Sequence, residues 1–324
     1  MKVRVTTSAR LHLGFLDLNG DLGRLYGSIG VTLKAPRTQL TIEEHEGLVI
    51  GEMDDQPRKR ISSFIKAFSS HFKTPPRGII NLTRHIPEHK GLGSGSQLGL
   101  ALATALTKIC NISENNHALA RIAGRGLRSG IGITAFEKGG FIIDGGKRMV
   151  SGKKQCTEPP INLLRYNFPT SWHFVLVIPE KKVGLSGEQE KEAMGYVSPS
   201  RKISEEICRL TMMQLLPALV EEDLEKFGDA ISEIDIRTGT FFKPVQGGIY
   251  SEKSSYTIIR HMIESGAAGA GQSSWGPAIY GLVHKNDAPL LADKMKEFLE
   301  KKNITGDVII TQARNRGARI EIIP

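Results

Sequence analysis

The sequence predicts an α+β fold of two domains, and three observations carry the prediction. Its 324 residues suffice for one large domain or two of ordinary size. Segments of strand character are mixed with segments of helical spacing in both halves. Between the halves, a polar stretch from Gly145 to Pro160, with Lys153-Lys154 and Pro159-Pro160, has the composition of a linker. The division falls after residue 155, giving domains over 1–155 and 156–324.

Val3 to Leu16 (VRVTTSARLHLGFL) and Ser28 to Ile42 are rich in β-branched residues, partly alternating and edged by Gly or Pro, which predicts two strands. Arg58 to Phe72 sets Ile61, Ile65, Phe68 and Phe72 at helical spacing. GIINLTRHIP predicts a strand ended by Pro87; a glycine-rich turn follows, then a helix with Leu98, Leu102, Ala105 and Leu106 on one face. AFEKGGFIIDGG predicts a hairpin turning near Lys138-Gly139-Gly140. In the second half WHFVLVIP predicts a buried strand, residues 201–216, 218–235 and 252–265 helices, PAIYGLV a strand and residues 286–302 a helix. DVIITQA and ARIEII close the fold as strands.

Composition narrows the class. With 40% hydrophobic and 24% charged residues the chain can bury a core, which excludes a disordered protein. No run approaches the eighteen apolar residues of a membrane helix, and Met1-Lys2-Val3-Arg4-Val5 lacks the apolar stretch of a signal peptide. Cys110, Cys156 and Cys208 are odd in number and far apart, which speaks against a disulfide framework or a CxxC metal site. A reducing cytoplasm is the expected location. The formal charge of +9 fits nucleic acid or a polyanionic small substrate, although the basic residues are scattered and aromatics are only 6%. Charge alone does not choose.

The stretch HKGLGSGSQLGLALATAL, His89 to Leu106, has the physics of an anion cradle. Glycines let backbone N–H groups converge on one point, and the helix that follows adds its unpaired N–H groups and positive dipole end. Ser94 and Ser96 can cap that helix or donate to a phosphate oxygen. A tight helix-capping turn is the plainer alternative. The loop is neither a P-loop, since no Gly-Lys-Ser/Thr follows, nor a dinucleotide fingerprint.

PEHKGLGSGS resembles the Pro-x-x-x-Gly-Leu-Gly-Ser-Ser phosphate loop of the GHMP kinase superfamily. TSARLHLGFLDLNGDLG is similar to its N-terminal motif and GAAGAGQSSWGPAIYGLV to its C-terminal glycine-rich motif, in the family's order. The resemblance implies a two-domain GHMP-kinase-like α+β fold, with a ferredoxin-like C-terminal domain and the active site in the inter-domain cleft. The kinases usually carry an Asp in a Ser-Gly-x-Asp element, which some, such as homoserine kinase, manage without; here Ser129 and Gly130 match, and Gly132 stands in the acid's place. Asn115 to Phe136 holds no Asp or Glu but three arginines, Arg121, Arg125 and Arg128, which suit an anion site or, alternatively, a solvated helix face.

SARLHLGFLDLNGDLGRLYGSIGVTL closely resembles the β-ribofuranosylaminobenzene 5′-phosphate synthases, a non-kinase branch of that superfamily. RSGIGITAFEKGGFIIDGG and FFKPVQGGIYS extend the resemblance to nearly the whole chain. It implies condensation of 4-aminobenzoate with phosphoribosyl pyrophosphate (PRPP), releasing CO₂ and pyrophosphate, in the synthesis of a methanopterin-type one-carbon cofactor. It also implies help from Mg²⁺, no organic cofactor, two small-molecule substrates, and no nucleic acid or membrane as partner, with a homodimer left open.

Under this resemblance Gly91, Leu92, Gly93, Ser94, Gly95 and Ser96 would hold the pyrophosphate, with Ser96 a metal ligand. Arg10, Arg24, Arg121, Arg125 and Arg128 are candidates for the second phosphate or the benzoate carboxylate. Asp17, Arg10 and His12 are the catalytic candidates, although Asp17-Leu18-Asn19-Gly20-Asp21 also reads as a β-turn. Gly269, Gly271, Gln272 and Ser273 would close over the phosphates. HIPEH, His85 to His89, formally matches a zinc motif that Pro87 and the adjoining glycine turn oppose. EIDIRTGT, Glu233 to Thr240, reads as the end of a helix and a turn, with Asp235 in the acidic slot of a PRPP-type loop. An ATP-dependent kinase of the same superfamily and a non-catalytic anion-binding or nucleic-acid-binding protein are the competing functions.

Overall fold

The computed structural model of the chain describes residues 1–150, 156–180, 200–250 and 252–324, and within them the α+β class holds. Lys153-Lys154 of the linker stretch lie outside the described residues. The first sheet is built on two long antiparallel strands, β1 (Lys2–Asp17) and β2 (Arg24–Glu43), in register from Lys2 opposite Glu43 to Asp17 opposite Tyr26. β3 (Leu48–Ile50), β4 (Gly78–Arg84), β5 (Phe141–Asp144), β6 (Lys147–Arg148) and β7 (Asn162–Tyr166) extend it from the β2 side. The second sheet orders β8 (Trp172–Pro179), β9 (Gly269–Gln272), β10 (Ile279–His284) and β11 (Gly306–Gln312) as β11-β8-β10-β9. The last strand, β12 (Arg319–Ile323), returns to pair with β1.

Alternation explains the outer half of β1, where Val3 and Val5 are buried between polar neighbours. From Leu11 to Phe15 every residue is buried, because helices cover both faces. Two bulges interrupt the β1–β2 ladder here, between Ser8 and Arg10 and between His12 and Gly14. A bulge re-aims the side chains beside it, and Arg10 and His12 are those side chains.

One core lies between the first sheet and helices α1 (Asp55–Phe72) and α2 (Ser94–Ile109), with Val3, Ile42, Phe68, Leu98 and Leu106 at its centre. A second joins the halves of the chain: Leu11, Leu13 and Phe15 of β1 pack in one cluster with Tyr280 and Leu282 of β10 and with Phe227, Ile231 and Ile234. A third fills the far side of the second sheet.

Several elements differ from the sequence reading. The expected hairpin before Phe141 is a helix, α4 (Ile131–Glu137), which ends at Lys138 before β5. Its β-branched residues favour a strand locally, but burial of Ile131, Ile133, Ala135 and Phe136 decides otherwise. A short helix, α3 (Asn116–Ile122), precedes it, capped by the Asn115 side chain on the Ala118 N–H. The break expected at Pro217 is absent. α5 (Arg201–Leu210) runs through a π-helical turn, Thr211–Leu215, into α6 (Leu216–Glu221), whose first turn tolerates the proline.

The chain turns instead at Glu222, with φ 57°. Then α7 (Leu224–Gln246) runs straight through Glu233–Thr240, the segment read as helix end and turn. Phe241 and Phe242 prolong its buried stripe beyond Ile231 and Ile234, which is why it does not stop. α8 (Lys253–Glu264) and α9 (Ala288–Lys301) fall where expected. Among the described residues no helix is long and apolar enough to cross a membrane.

Candidate active site

The N-terminus of α2 opens into a cleft of about 580 Å³, bounded by β1, the loop before α2, the loop between α3 and α4, and the turn after β9. The glycine loop is built as a cradle. Gly91 and Gly93 have φ of +76° and +81°, a left-handed backbone that side chains rarely adopt. Leu92 between them is buried and its carbonyl accepts from the Arg10 N–H at 3.1 Å, which docks the loop on β1. The Gly93 carbonyl accepts from the Ser96 and Gln97 N–H groups and starts the helix, whose first residues, Ser94, Gly95 and Ser96, line the cleft.

The loop is also fixed from the second half of the chain. The Ser273 hydroxyl donates to the Gly91 carbonyl at 2.8 Å and accepts from the His12 N–H at 3.0 Å. A Cβ on Gly91 would stand 2.2 Å from the Ser273 carbonyl oxygen, so only glycine fits. The Arg10 guanidinium donates to the same Gly91 carbonyl at 2.5 Å. Behind the cradle, Glu88 accepts from His85 at 2.7 Å and Ser94 at 3.2 Å and pairs with Arg60 at 2.9 Å. Burial alone would raise its carboxyl, but these partners hold it below the usual range. His85 is thereby tied to Glu88, while His89 lies beside Arg60 with its imidazole made less basic by burial and the Arg60 charge.

Among the described residues the cleft is lined by four arginines, Arg10, Arg60, Arg125 and Arg128, and by no carboxylate. A Cβ on Gly95 would lie 2.5 Å from Arg60 Nη1 and 2.9 Å from Arg125 Nη2, so two guanidinium groups close directly over the helix end. Gly132 forms the opposite wall against Ser96. Asp144, fully buried, accepts from the Gly130, Gly146 and Ser28 N–H groups and the Ser129 hydroxyl, anchoring the loop that presents Arg125 and Arg128. Burial pushes its carboxyl up to about 6 against those hydrogen bonds. His12 is fully buried, its imidazole driven down to about 3 by burial and the Arg10 charge, and neither ring nitrogen has a partner.

Of the residues singled out in the sequence, the cleft gathers Arg10, His12, Gly91, Gly93, Ser94, Gly95, Ser96, Arg125 and Arg128. Others sit elsewhere. Asp17 accepts from the Asn19 and Gly20 N–H groups and from the Ser204 hydroxyl, so it organises a turn and ties it to α5. Arg24 donates to the Gly145 and Gly146 carbonyls. Arg121 pairs with Glu158 at 2.6 Å on the surface. Gly269 and Gly271 let β9 approach α7, a Cβ on the first meeting the Gly228 carbonyl at 2.3 Å and on the second the Asp235 carboxyl at 2.7 Å.

Gln272 turns to a small chamber behind His12, and Ser273 acts as the clasp described above. His89, of the HIPEH stretch, and Ser129, of the Ser-Gly element, also line the cleft, and Arg60, Phe15, Leu127 and Ser274 do so without having been singled out. His89 adjoins the loop motif, but Arg60 reaches the cleft only through the packing of α1 on α2, which no local pattern reveals.

Comparison with known proteins places this geometry in a family. Residues 59–140 match the GHMP kinases N terminal domain and residues 215–301 the GHMP kinases C terminal family. The chain is 32% identical to the beta-ribofuranosylphenol 5′-phosphate synthase of Methanothermobacter thermautotrophicus, over 97% of each chain. It is also 32% identical to the protein of that name from Methanocaldococcus jannaschii, over 98% of this chain and 99% of the other. Among solved structures, a homoserine kinase from Cytophaga hutchinsonii superposes with a TM-score of 0.67 at 16% identity, covering 99% of this chain and 97% of its own.

Proposed function

The chain belongs to the β-ribofuranosylphenol 5′-phosphate synthase family, built on GHMP kinase N- and C-terminal domains, and from that we propose that it is a PRPP-dependent C-ribosyltransferase. It joins a para-substituted benzoate to C1 of PRPP and releases CO₂ and pyrophosphate. 4-Aminobenzoate is the substrate expected from the sequence, and the phenol in the relatives' name makes 4-hydroxybenzoate its counterpart. A place in methanopterin-type cofactor synthesis and a cytoplasmic location belong to the same proposal.

One observation carries the reading: four arginines line a cleft that opens at a helix N-terminus, and Gly132 stands there in place of the usual kinase acid. Such a cleft binds a polyanion strongly and, among the described residues, has no carboxylate to accept a proton from an attacking hydroxyl. C-ribosylation needs none. The C1–O bond to pyrophosphate breaks with its electron pair leaving on oxygen, and the ring carbon bearing the carboxylate forms the new C–C bond. The C–CO₂ bond then breaks and returns its electrons to the ring.

The α2 terminus and the arginines stabilise charge gathering on the departing pyrophosphate, and the cleft holds the ring carbon near C1. The lining itself fits Mg²⁺ poorly: among the described residues it offers the Ser96 hydroxyl, four guanidinium groups and no carboxylate, whereas this ion is usually held by one or two carboxylates together with substrate phosphates. Any Mg²⁺ that takes part would be held by the pyrophosphate oxygens and water.

The test is PRPP-dependent release of labelled CO₂ from carboxyl-labelled 4-aminobenzoate and 4-hydroxybenzoate in the presence of Mg²⁺. Release with either supports the proposal. No release with both, together with ATP turnover on a small alcohol, assigns the protein to the kinases instead.

A further inference from the structure

Behind His12 lies a small chamber of about 20 Å³, room for one water-sized group. It shares His12, Phe15 and Ser274 with the arginine cleft, so the two meet at those residues. Phe15, Phe242 and Trp275 form an aromatic wall, with ring centroids 6.0 Å apart for the first pair and 4.3 Å for the second.

The chamber's polar atoms are buried and unspent. Both ring nitrogens of His12, the Thr238 hydroxyl and the Gln272 carbonyl oxygen have no partner, although His12 and Gln272 are only 3% and 6% exposed. Buried polar groups are almost always hydrogen-bonded, so four such atoms around one chamber mark a place for a polar guest. Asp235 completes the set, accepting from the Gln272 N–H at 3.0 Å and the Tyr250 hydroxyl at 2.5 Å, each oxygen keeping a further lone pair.

We infer that this chamber receives the para substituent of an aromatic acid whose ring lies at the shared mouth beside Phe15. The inference rests on the synthase reading and deepens it. In a para-substituted benzoate the reacting carbon and the substituent point in opposite directions. Seating the substituent behind His12 therefore turns the carboxylate-bearing carbon toward the arginines and C1 of the ribose. Gln272 Oε1, Asp235 and the bare nitrogen of the neutral His12 are acceptors; Thr238 and the imidazole N–H can donate. That balance suits a hydroxyl or an amine, which donates and accepts, and rejects a hydrogen or a second carboxylate. The volume admits only the tip of the molecule, leaving the ring in the cleft.

Trp275 in the chamber wall provides the signal. With inorganic pyrophosphate present, 4-hydroxybenzoate, 4-aminobenzoate and benzoate are titrated against its fluorescence. The expected result is at least tenfold tighter binding of one or both para-substituted acids than of benzoate. Thr238→Val and Asp235→Asn should each cut that preference at least threefold and together abolish it, with affinities for benzoate and pyrophosphate unchanged. A preference that survives in the variants overturns the inference, and so does a wild type that does not discriminate. Should the double variant fail to fold, the isosteric Thr238→Val decides alone. CO₂ release by a protein whose preference ignores these substitutions sinks the chamber and spares the synthase. A chamber-dependent preference without CO₂ release does the reverse.

Discussion

Gly132 packs against Ser96 at the cleft wall, where a Cβ on Gly132 would stand 3.0 Å from the Ser96 Cβ. The position that stands in the kinase acid's place under the sequence resemblance is thus at the wall of the cleft. Gly132→Asp would set a carboxylate among four arginines and against the incoming pyrophosphate. At an effective dielectric of about 20, two unit charges about 5 Å apart interact by about 3 kcal/mol. The expected outcome is a loss of PRPP affinity of at least about tenfold, with no kinase activity gained, measured by PRPP titration and ATP turnover.

The arginines divide by position. Arg125→Ala and Arg128→Ala should each raise the KM for PRPP by roughly tenfold or more, since a hydrogen bond to a charged group contributes about 1.5–3 kcal/mol. Arg121, paired with Glu158 outside the cleft lining, is the control: its alanine variant should change KM by less than about twofold, because an exposed pair contributes at most about 1 kcal/mol. Steady-state kinetics on the three variants checks both statements.

Gly93→Val tests the cradle. A β-branched residue at φ +81° is strained by roughly 1–2 kcal/mol, and its Cβ would press on the Arg10 side chain 3.2 Å away. The variant should fold with a lowered melting temperature and bind PRPP at least tenfold more weakly. Unchanged PRPP affinity in isothermal titration would remove the loop from the site.

Asp235 gives a pH signature. Burial pushes its carboxyl from 3.8 up to about 7, against the hydrogen bonds from Tyr250 and Gln272. A carboxyl raised on folding contributes stability in full below its ordinary value and loses it as the pH rises through the folded value. Asp235→Asn has no such loss, so its melting temperature should gain on wild type as the pH goes from 4 to 7. His12, lowered to about 3, slopes the other way in both proteins and cancels in the difference. Parallel melting curves across that range would contradict the raised carboxyl.

Much of this site was legible where a backbone requirement leaves a residue signature. The two glycines that flank Leu92, the serines that open α2 and the acid-free run containing Arg125 and Arg128 all announce an anion site, and the cleft gathers them. Asp17 shows the limit: the same carboxylate that reads as catalytic beside a motif reads as a turn cap, and its three hydrogen bonds belong to the second role. Arg60 was unreadable for a different reason. It sits on a helix whose pattern reports only which face is buried, and what lies opposite that face is fixed by contacts from remote parts of the chain. α4 was missed because the hairpin reading began at Ala135, and Ala135 to Glu137 form the last turn of a helix that its buried residues from Ile131 onward hold in place.

The Ser273 hydroxyl that bridges the His12 N–H and the Gly91 carbonyl has a mechanical meaning. One oxygen atom joins three segments, the first strand, the anion loop and the turn after β9, above an apolar cluster common to both halves. Prising the halves apart would cut both bonds and wet that cluster together. The floor of the cleft is therefore fastened as one block, and the two halves cannot part there without losing both bonds and the cluster at once.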